Sequence, residues 1–167
     1  MKRLFILSIL LFYLHSSYSQ QEESPLVNSF YEHIKLKNES DINLEWISLG
    51  PVLNSARVES VQVDENNPGT MYVAFGSGNL WKTINNGISW RPIFENQPSL
   101  GIGDIALAPS NSNIIYVGTG ESLKKARNFT MPGTGMYRSI DAGETWKHIG
   151  LEDSWHIGEI SVHPTNP

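Results

Sequence analysis

The stretch SIDAGETW, Ser139 to Trp146, decides how this sequence folds, because it occurs twice. Upstream, TINNGISW from Thr83 to Trp90 matches it position by position. One copy alone could serve acid/base chemistry or turn capping, since Asp, Ser and Thr do both. The first copy has an asparagine in place of the aspartate, which favours a structural role because an amide cannot act as a general base. The matched turn positions are Thr83, Asn85, Gly87, Ser89 and Trp90 in one copy and Ser139, Asp141, Gly143, Thr145 and Trp146 in the other.

The similarity extends outward from both turns. VQVDENNPGTMYVAFG, starting at Val61, aligns with IALAPSNSNIIYVGTG, starting at Ile105, and ISVHPTNP from Ile160 begins the pattern again. The starts lie 44 and 55 residues apart, and the longer spacing contains a 12-residue insertion. A period of about 40–45 residues made of short strands is typical of a β-propeller blade. The sequence therefore predicts an all-β fold, a β-propeller built from four-stranded blades.

The repeat also gives the expected boundaries of the blades. The first blade covers residues 58–94, with strands expected at 58–63, 70–75, 80–83 and 89–94, and the repeated turn joins the last two. The second blade covers residues 102–150, and residues 157–167 begin a third. Residues 46–51, WISLGP, resemble the fourth strands and predict an outer strand that completes a last blade. Because propellers typically close with 4–8 blades, we expect residues 46–167 to be the N-terminal part of a longer propeller whose remaining blades complete the ring.

The N-terminus predicts export from the cytoplasm. Lys2 and Arg3 precede the apolar run from Leu4 to Leu14, and small residues lead up to Ser19. This is the layout of a secretory signal peptide over residues 1–19, and the apolar run is shorter than the about 20 residues that a membrane span needs. The expected location of the mature protein is therefore extracellular, periplasmic or elsewhere in the cell envelope. Residues 20–45 predict a polar leader with one or two helical turns.

Composition excludes several classes of protein. The formal net charge is −5 and becomes −7 when the two basic residues of the signal peptide are removed, which disfavours nucleic acid or an anionic membrane as a partner. The chain contains no cysteine, so a small disulfide-stapled scaffold is excluded. No metal-ligand spacing or cofactor motif is present, and we expect neither a metal nor a cofactor.

The pattern S-x-D-x-G-x-T-W resembles the Asp-box, or bacterial neuraminidase repeat, of sialidases, xyloglucan-cleaving endoglucanases and sortilin receptors. Ser139 to Trp146 fits it completely, and Thr83 to Trp90 fits it loosely. From about Trp46 onward, SARVESVQVDENNPGTMYVAFGSGNLWKTINNG, NIIYVGTGE and GLEDSWHIGEISVHPTNP resemble large secreted bacterial proteins described as sortilin-like or glycosyl-hydrolase-like propellers. The resemblance implies a propeller fold, and either ligand binding or glycoside hydrolysis as the activity.

Candidate functional residues fall on one expected face of the propeller. Because strand directions alternate, the turns after the second and fourth strands lie opposite the repeated turns, around the central channel. That face is expected to carry Arg57, Asp104, Glu121, His156 and Glu159. The insertion that starts at Glu121 adds a ligand-contact loop, or else a solvated one, with Lys124, Lys125, Arg127 and Phe129.

Two functions remain open from the residues alone. The first is a secreted binding or scaffold module that recognises a protein, peptide or carbohydrate on the channel face. The second is a glycoside hydrolase, which needs two carboxyl groups roughly 5 Å or about 6.5–9.5 Å apart. Its weak catalytic candidates are Asp104, Glu121 and Glu159, which lie on neighbouring blades.

Overall fold

Two antiparallel sheets and a helix make up the computed structural model, which describes residues 24–41, 56–122 and 130–167. The first sheet contains β1 (Val58–Val63), β2 (Met71–Phe75), β3 (Leu80–Thr83) and β4 (Arg91–Pro92). The second contains β5 (Ile102–Ala108), β6 (Asn111–Thr119), β7 (Met136–Ser139) and β8 (Lys147–Gly150), and α1 is Pro25–Glu39. In both sheets the strand order follows the chain. The sheets are consistent with propeller blades, and the described residues form no closed ring.

The strands pair in the same register in both sheets. In the first sheet Val73 lies opposite Val61 on one side and Trp81 on the other. In the second sheet Val117 lies between Ile105 and Tyr137 in the same way. Both sets occupy matching positions of the sequence repeat, so the repeat corresponds to one four-stranded sheet.

A single apolar core joins the two sheets. Phe94, which follows β4, is completely buried and packs edge-on against Tyr137 and Trp146 of the second sheet, with ring centroids 5.2 and 5.1 Å apart. Alternate positions of β2 and β3 face the same core, as the side-chain period of two in a strand requires. The buried core residues are Tyr72, Ala74, Leu80, Phe94, Ile102, Ile105, Ile115, Val117 and Tyr137.

Two hydrogen bonds also cross between the sheets. The buried Lys82 Nζ donates to the Ala142 carbonyl at 2.8 Å, and the Trp146 indole N–H donates to the Ile93 carbonyl at 2.8 Å. Arg138 occupies the position of Lys82 in the second sheet. Its guanidinium lies 5.7 Å from the Tyr116 ring centroid, and its buried Nε has no hydrogen-bond partner within the described residues.

The structure differs from the expectations in three places. The helix of the leader has 15 residues rather than one or two turns, because Pro25 suits the first helical turn and no further proline or glycine precedes Ser40. The fourth strand shortens to Arg91–Pro92, since Pro92 cannot donate to a ladder. Residues 157–167 form no strand. They contact the second sheet through Ile157 N to Thr119 O and Ile160 N to Asp104 Oδ2, and no described strand lies beyond them to pair with.

Some predicted features fall outside the described residues. These are the signal peptide at 1–19, the outer strand at 46–51, and the loop residues Lys124, Lys125, Arg127 and Phe129. They stay predictions. No helix among the described residues is long and apolar enough to cross a membrane.

Candidate functional site

The repeated turns are built around one hydroxyl and one carboxylate or amide. In the second sheet the Ser139 hydroxyl accepts from Gly143 N at 2.8 Å and donates to Asp141 Oδ1 at 2.7 Å. Asp141 also accepts from the backbone N and the hydroxyl of Thr145, at 2.9 and 2.5 Å. Ala142 and Gly143 have φ values of 58° and 90°, and this left-handed turn explains the glycine. The Asp141 side chain thus serves its own turn.

The turn of the first sheet has the same geometry with an amide. Asn85 Oδ1 accepts from Ser89 N at 2.9 Å and from the Thr83 hydroxyl at 2.9 Å, while its Nδ2 donates to Ser89 Oγ. Gly87 N donates to the Thr83 hydroxyl at 3.0 Å. Because the amide reproduces the bonds of the carboxylate, this turn does not require a charge.

The hydrogen bonds from Thr145, first through its side chain and then through its backbone, lower the pKa of Asp141 from 3.8 to about 2. The Ser139 hydroxyl adds to the effect. A carboxylate that is stabilised in its charged form in this way is a weak proton acceptor at neutral pH. The electrostatics therefore oppose a general-base role for Asp141.

Three charged side chains meet at the opposite ends of the strands. Arg57, just before β1, pairs with Glu121, just after β6, and its Nε lies 3.5 Å from Glu59 Oε1. Glu121 is 7% exposed, and its second oxygen accepts from Met131 N at 3.2 Å. Gly76 makes room for the cluster, because a Cβ there would lie 2.8 Å from Glu59 Oε1 and 2.9 Å from Glu121 Cγ. The sequence predicts that Arg57 and Glu121 lie on one face, but no pattern in it singles out Glu59.

The backbone of an exposed aromatic residue packs next to this cluster. Trp155 is 67% exposed, and its carbonyl accepts from Gly133 N at 2.8 Å. A Cβ on Gly120, next to Glu121, would overlap that carbonyl. His156 Nε2 lies 3.4 Å from the Thr130 hydroxyl. We define the Glu121 face by Arg57, Glu59, Glu121, Trp155 and His156.

The remaining carboxylate candidates lie apart from the cluster. Asp104 Oδ2 accepts from Ile160 N at 2.7 Å, so it fixes the segment that follows the second sheet. Glu159 borders an apolar groove with Tyr116, Met136 and Ile149. Within the described ranges no ion pair or hydrogen bond joins Asp104 to Glu121 or Glu159. In the same ranges no cluster of three metal-ligating side chains occurs.

Comparisons with known proteins give similarity to parts of larger structures. No family model matches the sequence, and no curated protein sequence matches it. An ancestral GH74 enzyme is 26% identical over 55% of this chain and 12% of its own, with a TM-score of 0.44. The GH74 enzyme of Niastella koreensis is 24% identical over 56% of this chain and 14% of its own, with a TM-score of 0.42. The GH74 xyloglucanase from Xanthomonas campestris is 17% identical over 58% of this chain and 15% of its own, with a TM-score of 0.43. The chain thus spans 12–15% of the length of these structures.

Proposed function

We propose that this chain is part of an Asp-box β-propeller that binds carbohydrate at the Glu121 face. The observation that carries the proposal is the exposed indole of Trp155, whose backbone packs against Gly120, next to the protein-bound carboxylate of Glu121. Sites for small ligands combine apolar or aromatic surface with a few fixed polar groups. Trp155 supplies the first, and Arg57 and His156 supply the second. A peptide with an aromatic or acidic side chain is the other ligand that this surface suits.

The carboxylates of this face support binding rather than catalysis. Hydrolysis needs one carboxyl group to donate a proton and a second to attack or to activate water. Glu121 is held by Arg57 and by Met131 N, and Asp104 is held by Ile160 N. These contacts give both carboxylates a structural role. Neither Glu121 nor Asp104 is therefore free to face a substrate as a proton donor.

A glycoside hydrolase is the second candidate, and one observation favours it. Glu59 and Glu121 both converge on Arg57 beside Gly76, so two carboxyl groups share one small region. A substrate that displaced Arg57 would leave both groups facing it. Hydrolysis would then depend on Glu59 and Glu121 together.

Affinity electrophoresis in gels containing xyloglucan tests the proposal, with xyloglucan chosen because a xyloglucanase is among the similar structures. We expect the chain to be retarded, and Trp155→Ala to weaken binding at least about tenfold, a loss of ~1.4 kcal/mol. Ile88→Ala is the matched control, because Ile88 is an exposed apolar residue in the opposite turn. Retardation that Trp155→Ala leaves unchanged would contradict the proposal.

Release of reducing ends separates the two candidates. Binding without release supports the binding function. Release that is lost in Glu59→Gln and in Glu121→Gln supports the hydrolase instead.

We further infer that the chain acts outside the cytoplasm, from the layout of residues 1–19. The exported protein is expected to begin at or near Gln20. N-terminal sequencing of the protein recovered from the envelope or medium measures this. A soluble cytoplasmic form that retains Met1 would contradict the inference.

A further inference from the structure

A second cleft lies between the two sheets, away from the residues that define the Glu121 face. It has a volume of about 370 Å³ and separates the segment that begins with β4 from the turn of the second sheet. This volume falls within the range of small-ligand sites, about 300–1,000 Å³. We call it the rim cleft and define it by Arg91, Glu95, Asn96, Gln97, Glu144 and Trp146.

The apolar part of the rim cleft is fixed in place. Trp146 is half-buried, its ring packs edge-on against Phe94, and its indole N–H is bound to the Ile93 carbonyl. Ile93 lies so close to the turn that a Cβ on Gly143 would be 2.6 Å from its Cδ1. Because these contacts lock the indole, a ligand meets a preformed surface and the cost of ordering a loose side chain is avoided.

The polar part divides into bound and unbound groups. Arg91 pairs with Glu144 across the cleft, and the Thr145 hydroxyl is taken by Asp141. The carboxamides of Asn96 and Gln97 make no hydrogen bond within the part of the chain that the structure describes. Each carboxamide offers one acceptor oxygen and two N–H donors. These two carboxamides therefore add neutral donors and neutral acceptors to the cleft.

The charges of the cleft do not favour anionic ligands. Glu144 offsets the guanidinium of Arg91, and Glu95 adds a carboxylate that forms no ion pair among the described residues. Lys82 Nζ also lies 3.9 Å from Glu144 Oε1, so the charges nearly balance and leave no excess positive charge to attract a carboxylate or phosphate ligand. A neutral ligand with hydroxyl groups on its edges and a C–H face suits the amides and the indole together.

We propose that the rim cleft binds a neutral saccharide, with Asn96 and Gln97 bonding its hydroxyl groups and Trp146 contacting its C–H face. This site shares no residue with the Glu121 face, and it does not depend on the function proposed for that face. The chain then carries two separate points of contact with a carbohydrate.

Isothermal titration of the full chain with cellotetraose, a neutral oligosaccharide, tests the rim cleft. The double variant Asn96→Ala/Gln97→Ala removes both carboxamides and is expected to weaken binding about tenfold, because the hydrogen bonds to the ligand hydroxyl groups are lost. Asn113→Ala is the matched control, because Asn113 is an exposed amide outside the cleft. Circular dichroism checks that each variant is folded.

A second readout places the ligand. The Trp146 indole N–H resonance is expected to shift on titration with cellotetraose and to stop shifting in the double variant.

Three results would overturn the proposal. These are no binding of cellotetraose, equal binding by the double variant, and tighter binding of the anionic tetragalacturonate. Binding that is lost in Trp155→Ala but kept in the double variant would also overturn it, while supporting the Glu121 face.

Discussion

At the scale of single residues, both oxygens of Asp141 accept hydrogen bonds from within the turn that contains it. Asn85 makes the equivalent bonds in the first sheet. The function of this position is therefore to hold the left-handed turn, with one difference: Asp141 accepts from the Thr145 hydroxyl, whereas Asn85 Nδ2 donates to the Ser89 hydroxyl.

Asp141→Ala is expected to destabilise the protein by about 1–3 kcal/mol, because the donors of Thr145 and Ser139 lose their acceptor. Asp141→Asn should cost less, since Asn85 shows that the amide fits. Urea unfolding measures both changes. Glu65→Ala, an exposed carboxylate in the turn after β1, is the control. Unchanged stability combined with lost ligand binding in Asp141→Ala would contradict the structural role.

The depressed pKa of Asp141 also predicts a pH dependence. Its pKa of about 2, against 3.8, means that the folded state binds this proton less readily than the unfolded state. The stabilisation is therefore complete above about pH 4 and is lost as the pH falls to about 2. The stability difference between the wild type and Asp141→Asn should shrink over this interval in acid titrations followed by circular dichroism. A difference that stays constant down to pH 2 would show that the charge is not involved.

Residue patterns found part of the candidate site. Arg57, Glu121 and His156 could be assigned to one face, because strand direction fixes which ends of the strands meet. Glu59 lies within β1 and has the pattern of an ordinary strand residue, so the sequence does not predict its ion pair with Arg57. Trp155 had none either, because its exposure depends on the path of the chain after β8 and not on any periodic pattern.

At the scale of elements, the two sheets differ in how the basic residue at one matching strand position is paired. Lys82 finds the Ala142 carbonyl, whereas Arg138 Nε finds no acceptor among the described residues. Lys82→Met should destabilise by about 1–3 kcal/mol, because the hydrogen bond from this charged group to the half-buried Ala142 carbonyl is lost. Arg138→Met removes an unpaired group and loses a cation–π contact of about 0.5–1 kcal/mol. It should therefore cost at least about 1 kcal/mol less than Lys82→Met in the same denaturant series.

The order of these two effects is the critical outcome. If Arg138→Met lowers the stability more than Lys82→Met does, then Arg138 Nε has a hydrogen-bond acceptor and the proposed difference in pairing between the two sheets is wrong. Additivity of the two substitutions in the double variant is the control, since the sites lie in different sheets.

Strand positions followed closely from the sequence, because the repeat supplied two independent copies of each pattern. β1 and β3 begin and end at the predicted residues, and β2 begins one residue later. The predicted fourth strand of the first sheet was too long. Pro92 cannot donate a hydrogen bond to the ladder, and this ends the strand although apolar residues follow. Residues 157–167, where the sequence predicts the start of a third blade, form no strand. A strand needs a neighbouring strand to pair with, which the local sequence does not provide. The length of α1 was underestimated since its polar composition gives a weak periodic signal.

At the scale of the whole molecule, the two sheets share one core. Phe94 belongs to the first sheet but contacts Tyr137 and Trp146 of the second. Phe94→Ala should therefore cost about 3–5 kcal/mol and lower the unfolding midpoint of both sheets together. Near-ultraviolet and far-ultraviolet circular dichroism should give coincident transitions. Val63→Ala, at an exposed strand position, is the control, and two separate transitions in Phe94→Ala would contradict a shared core.

The order of the strands has a consequence for synthesis on the ribosome. Each sheet is one continuous segment of chain, so the first can pair its strands before the second has been translated. Its side chains Tyr72, Leu80 and Phe94 are then without the cover that Tyr137 and Ile115 later provide. Until the second sheet emerges, this part of the chain presents an apolar surface to whatever compartment it folds in.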